Sequence, residues 1–119
     1  MENNNPRYSP AKLKKFKNII TDKLENTTNE LAGLKADLKS QKQKVANTNT
    51  DFNENSKHFQ EQAKDKRLIR RFQDKARALN AALNRIENGT YGVCTRTNQL
   101  IREERLLAMP TAQFDVIKK

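Results

Sequence analysis

The chain has 119 residues, 34% of them apolar and 32% charged, and its 24 Lys and Arg against 14 Asp and Glu give a net charge of +10. That length suits one domain, or one domain with a long extension, and so few apolar residues cannot fill a broad core, although they can fill a narrow seam between two helices. No apolar run approaches the roughly 18 residues of a membrane span. The N-terminus MENNNPRYSP does not read as a signal peptide, and the single Cys excludes an internal disulfide and a Cys-only zinc cage. A cytoplasmic protein without a membrane segment is therefore expected.

Residues 1–9 are expected to be disordered. Ser9-Pro10 predicts a helix start, a hydroxyl at the N-cap followed by Pro at the first helical position. From there to Ala46 no further Pro occurs, and Leu13, Ile20, Leu24, Leu31, Leu34, Leu38 and Val45 recur in steps that fit a heptad. Leu24, Leu31, Leu38 and Val45 take one seam position, and Leu13, Ile20, Thr27, Leu34 and Gln41 the other, which is the narrow stripe of a coiled coil. Gly33 lies off this seam and costs about 1 kcal/mol of helix propensity.

Asn47 to Ser56 reads NTNTDFNENS, rich in residues that favour turns and caps. A second helix is predicted from there to Asn88, with Gly89 as its stop. Its seam is Gln62, Asp65, Ile69, Phe72, Ala76, Leu79, Leu83 and Ile86. Folding the chain back pairs Ile20 with Leu83, Leu24 with Leu79, Thr27 with Ala76, Leu31 with Phe72 and Leu34 with Ile69, and every pair of numbers adds to 103. That register puts the turn between Asp51 and Phe52, inside the polar stretch, and pairs Leu38 with Asp65 and Gln41 with Gln62, so the seam becomes polar toward the turn. Periodicity, pairing and turn chemistry agree on one structure. The expected fold is mainly α: a long antiparallel helical hairpin, or coiled coil, over 10–88 with its tip at 46–56, each arm roughly 50 Å long from the rise per residue. The alternatives are two separate helices or one long dimeric coil, and the turn-rich break argues against the latter, so a monomer is expected.

Residues 10–46 carry nine basic and four acidic side chains, and residues 57–87 again nine and four, so each arm is +5. The tip has Asp51 and Glu54 and no Lys or Arg. A basic stalk suits an acidic protein surface or a phosphate backbone, or is simply a solvated face. Asp51 and Glu54 have capping-box spacing, and a cap at an exposed tip is also presented to a partner. His58 has no second His or Cys near it, so a surface or hydrogen-bonding role is expected rather than metal ligation. Phe52 and Phe59 either pack the loop or enter a partner.

Residues 89–119 form a small C-terminal module. Gly89-Thr90-Tyr91-Gly92-Val93-Cys94 predicts a tight turn into a short strand, Thr95–Asn98 a turn, Gln99–Ile101 a second strand, and Arg102–Met109 a short helix stopped by Pro110. A knob this small must dock on the hairpin or be stapled. There is no Gly-rich phosphate loop, no Ser/His/Asp or Cys/His set and no metal cluster, so the chain is not expected to be an enzyme.

RIENGTYGVC followed by LIREERLLAMPTA resembles the DksA/TraR family of bacterial transcription regulators over residues 85–112, and the hairpin agrees with that family's fold. The family's knob is usually a four-cysteine zinc finger. Read along without gaps, its ligand positions fall on Cys94, Thr97, Asp115 and Lys118, which do not supply the four donors that zinc needs. The resemblance thus implies a degenerate, zinc-finger-like knob without zinc. Apolar packing of Tyr91, Val93, Leu100, Ile101, Leu106, Leu107, Phe114, Val116 and Ile117 must then replace the metal, with Cys94 as a small buried hydrophobe.

The family inserts its coiled-coil tip into the secondary channel of RNA polymerase and alters promoter complexes without binding DNA. Its Asp-x-x-Asp-x-Ala tip motif falls here on Asp51, Glu54 and Ser56, a partial match, and a basic residue used to hold the polymerase rim falls on Arg71. The Lys and Arg that some members use with the polymerase to hold guanosine tetraphosphate fall on Ala78 and Met109, leaving only Lys119 of that basic set, so the alarmone contact is expected to be absent or weak. The expected partner is core RNA polymerase. A structural or adaptor coiled coil, or a basic nucleic-acid-binding one, are the competing readings. Gre-type cleavage factors, which hold Mg²⁺ with tip acids, share the hairpin but not the knob.

Overall fold

The computed structural model describes the backbone of residues 7–47 and 52–115, and the side chains of all these except 45–47 and 52–55. Helix α1 spans Pro10–Asn47, α2 spans Phe52–Asn88 and α3 spans Glu103–Ala108. The chain is mainly helical, a long helical hairpin followed by a small knob. Among the described residues the only β pairing is an isolated antiparallel bridge between Val93 and Leu100.

Helix α1 begins where Ser9-Pro10 predicts. The Lys12 amide donates to Ser9 Oγ at 3.3 Å, and Leu13 N–H opens the helical ladder on the Ser9 carbonyl at 2.9 Å. Pro10 occupies a position whose N–H would have no helical partner. Helix α2 ends at Gly89, whose φ of +76° lets the chain reverse so that the amides of Thr90 and Tyr91 both reach the Arg85 carbonyl. The expected tip of 46–56 is shorter than its composition suggests. Helix covers Ala46 and Asn47 on one side and Phe52 to Ser56 on the other, because a propensity penalty of a few tenths of a kcal/mol per polar residue is overcome by extending an existing ladder.

The chain divides into two compact units. One comprises Met1–Leu24 with Arg77–Lys119, and the other Glu25–Ala76. In the first, Phe16, Ile20, Leu79, Ala82, Tyr91, Cys94, Ile101, Leu106 and Ala112 form one buried cluster, flanked by Tyr8, Leu13, Ile19, Leu24, Leu83 and Ile86. The Ile20/Leu24 and Leu79/Leu83 layers of the predicted seam therefore share one core, and the knob closes over it. Phe16, off the heptad positions, is fully buried and lies 5.5 Å, centroid to centroid, from the Tyr91 ring.

In the second unit, Thr27 and Gln62 are buried, while Leu31, Leu34, Leu38, Gln41, Asp65, Ile69, Phe72 and Ala76 are half-buried. The predicted polar end of the seam is present with a one-step offset. Gln41 Nε2 donates to Asp65 Oδ2 at 3.2 Å, the diagonal neighbour of the expected pairing.

Two expectations for the first unit need correction. Residues 7–9 are not disordered, since the Tyr8 hydroxyl donates to the Ile101 carbonyl and its ring meets Phe16 edge-on at 5.6 Å. Leu107 and Phe114 are not core residues, being 44% and 36% exposed. A helix as short as α3 can bury only one stripe, and Leu106 occupies it. Val116 and Ile117 lie outside the described residues.

Candidate functional site

The residues expected at the tip and stalk fall in the second unit. Asp51 lies outside the described residues. Glu54 is in the first turn of α2, and Ser56 follows it, half-buried. His58, a residue further into the next turn, is half-buried, and its Nδ1 is buried without a hydrogen-bond partner. Phe59 is 60% exposed, so it does not pack the loop.

Arg71 is exposed on α2 and lines a cavity of about 340 Å³ with Leu68, Phe72 and Lys75. These residues follow the three- and four-residue spacing that puts them on one helix face. The cavity therefore has an apolar floor and a cationic rim, chemistry that matches an acidic protein surface better than bare phosphate. The positions that resemble an alarmone contact carry no charge, with Ala78 half-buried and Met109 exposed, and Lys119 lies outside the described residues.

The knob brings three of its four metal-like positions together. The buried Cys94 thiol is drawn down to a pKa of about 7, chiefly by the Thr97 hydroxyl and then by backbone amides of Asp115, Arg96 and Thr97, while its burial acts the other way. Cys94 is buried in the core cluster, as expected of a small hydrophobe, with the Thr97 hydroxyl and backbone amides acting on its thiol.

The Asp115 carboxylate is held elsewhere. Arg102 grips it through Nε at 3.1 Å to Oδ2 and NH2 at 3.1 Å to Oδ1, and donates its backbone N–H to Oδ2 at 3.1 Å. Lys118 lies outside the described residues. A tetrahedral zinc site needs about four free N, S or O donors. Here one thiol is available, Thr97 offers only a neutral hydroxyl that accepts from the Gln99 N–H at 3.3 Å, and the carboxylate is spent on a guanidinium, so the donor set does not fit the metal. Among the described residues no three His, Cys, Asp or Glu side chains are grouped to hold an ion.

The run that carried the family resemblance forms the knob's internal scaffold. The Tyr91 hydroxyl donates to the Pro110 carbonyl at 2.7 Å, Arg85 NH2 to the Thr111 carbonyl at 3.4 Å, and Ala112 is buried. Burial pushes the Tyr91 phenol up to about 12, partly offset by Arg85. On the outside, Glu103 accepts from Lys12 at 3.0 Å and Lys15 at 3.3 Å, and these hydrogen bonds hold its carboxyl below the usual range.

Two guanidiniums lie against the Phe114 ring, Arg96 at 4.3 Å and Arg105 at 5.7 Å from its centroid. Sequence reasoning missed Tyr8, Phe16, the Arg102–Asp115 grip and this stack. Only Phe16 had a usable signal, its i+3 and i+4 relation to Leu13 and Ile20.

Comparison with known proteins finds similarity to a curated protein and to a solved structure. A 38-residue stretch is 50% identical to general stress protein 16O of Bacillus subtilis (strain 168), covering 32% of this chain and 23% of that protein's length. No protein-family model matches the chain. The fold aligns with the structure of the transcription factor DksA2 from Pseudomonas aeruginosa at a TM-score of 0.81 and 21% identity, over 90% of this chain and 79% of that one. Among the described residues no helix is long and apolar enough to cross a membrane. The chain has a DksA-like fold, a helical hairpin with a terminal knob.

Proposed function

We propose that this chain is a transcription regulator of the DksA/TraR family that binds core RNA polymerase and places the carboxylates of Asp51 and Glu54 in the secondary channel. It acts in the cytoplasm as a monomer, by binding rather than by catalysis, and modulates promoter complexes without reading DNA sequence. The observation that carries this reading is the fold shared with a transcription factor over nine-tenths of the chain. The residue-level resemblance at Arg85, Tyr91 and Pro110–Ala112 supports it, because the Arg85 and Tyr91 side chains and the Pro110 and Thr111 carbonyls build the knob.

The division of labour follows from the charges. Arg71 and Lys75, rimming the cavity floored by Leu68 and Phe72, hold an acidic, partly apolar rim of the polymerase. The tip acids then act on the channel. Ser56 supplies the small residue behind them. The knob does this without zinc and without an alarmone contact in this reading, which the incomplete donor sets support.

The test is binding and transcription with purified core polymerase. Asp51→Asn is expected to bind as wild type and lose its effect on transcription. Arg71→Glu is expected to weaken binding itself. Retention on bare DNA at moderate salt, with no affinity for polymerase, would instead support the nucleic-acid reading.

A further inference from the structure

Helix α1 contains one glycine, Gly33, in the middle of a long proline-free run. Glycine weakens a helix, so a packing reason is the first to look for. None exists, because a Cβ built on Gly33 meets nothing within 4 Å. Alanine or a larger helix former would fit the fold without conflict. Gly33 instead lies along an open groove of about 280 Å³, lined by Glu30, Gly33, Leu34 and Asp37 of α1 and by Phe72 of α2. The four α1 residues are spaced to form one stripe, with a carboxylate one turn to either side of the glycine. Both carboxylates and the glycine are exposed, while Leu34 and Phe72 are half-buried. No ion pair within the described residues engages Glu30 or Asp37.

We infer that this notch receives an arginine side chain of the protein partner, its guanidinium between Glu30 and Asp37 and over the Phe72 ring. Charge decides the occupant. On a chain of net charge +10, this is an apolar hollow flanked by two acids, which repels phosphate and attracts a cation. The planar guanidinium is suited to a carboxylate pair and an aromatic face at once. Phe72 also lines the Arg71 cavity, so one residue is shared by an acid-flanked groove and a base-rimmed one. The inference rests on the polymerase reading above and extends it: one partner surface would present acidic and basic groups to the two grooves.

The experiment measures affinity for core RNA polymerase, with melting temperature in parallel, for wild type, Gly33→Leu, and the double variant Glu30→Gln with Asp37→Asn. Filling the notch is expected to leave the melting temperature unchanged or higher and to weaken binding roughly fivefold, the loss expected for one cation–aromatic contact with its ionic partners. The amide variant is expected to lose a similar factor. If both variants bind as tightly as wild type, the notch is not a contact and the inference fails alone. If wild type does not bind polymerase, the functional reading fails and the inference falls with it. Should Gly33→Leu destabilise the hairpin, the amide variant, which changes no volume, decides.

Discussion

The Tyr8 ring fills the space beside Gly92 that a side chain there would need. A Cβ on Gly92 would lie 2.6 Å from Tyr8 Cδ2 and 2.7 Å from Cε2, and Gly92 has a φ of +78° that side chains rarely adopt. The second glycine of the Gly-Thr-Tyr-Gly turn therefore serves the N-terminal segment as well as the turn. Gly92→Ala is expected to cost more than about 2 kcal/mol, from backbone strain together with displacement of Tyr8. Tyr8→Phe is expected to cost about 1 kcal/mol for its hydrogen bond to Ile101, and Tyr8→Ala more. Urea melts of the three variants check this order.

The two tyrosines make the knob sensitive to alkali. Burial raises both phenols, Tyr91 to about 12, and Glu103 raises Tyr8 further. An acid whose folded pKa lies above its unfolded value stabilises the fold fully below the unfolded pKa, near 10, and loses that contribution as pH rises toward the folded one. Stability should hold to about pH 10 and fall between there and about pH 12. Phenolate absorbance should stay low at pH 10 in the native protein and appear together with unfolding.

The thiol titrates in the opposite sense. Cys94 is drawn down to about 7 by Thr97 and backbone amides, so the folded state gains stability as pH rises above 7 toward the ordinary thiol range, and loses it below. Because the chain has one Cys, thiolate absorbance reports this group alone. Its midpoint is expected near 7 in the wild type and higher in Thr97→Val.

The grip of Arg102 on Asp115 uses a residue that the resemblance assigns to a metal-ligand position. Asp115→Asn is expected to lower the melting temperature by a few degrees, since it weakens a charge-assisted, three-point contact that is partly exposed. A chelator is expected to leave the wild-type melting temperature unchanged, and elemental analysis to find no stoichiometric zinc. Stoichiometric zinc lost to the chelator with a fall in stability would overturn the metal-free account of the knob.

The hairpin was legible because its cause is periodic. Seam residues from Leu13 to Gln41 and from Gln62 to Ile86 are all buried or half-buried, and one register explains them. The polar end of the seam was legible too, although Gln41 meets Asp65 rather than facing Gln62, as diagonal packing between helices allows. The knob's short elements were legible in its turn residues, with the Val93–Leu100 bridge and α3 near where they are predicted, but its packing was not. Its contacts join distant residues, such as Tyr8 to Ile101 and Lys12 to Glu103, for which no local pattern exists. Propensity also misplaced the tip boundaries, because Asn and Ser at a helix end read as loop. Arg71 was found by its family position, the residues lining the groove around it share one face of α2, and the notch at Gly33 emerges only when α1 and α2 are packed together.

The central claim is that the residues beside Asp51 and Glu54 enter the polymerase channel. The direct measurement is photo-crosslinking from position 56, with a photoreactive residue in place of Ser56, in the complex with core RNA polymerase, followed by mass spectrometry of the joined peptides. Crosslinks to peptides lining the secondary channel, abolished by Arg71→Glu, are the expected result. Crosslinks confined to the outer surface of the polymerase, or to a second copy of this chain, would contradict the account.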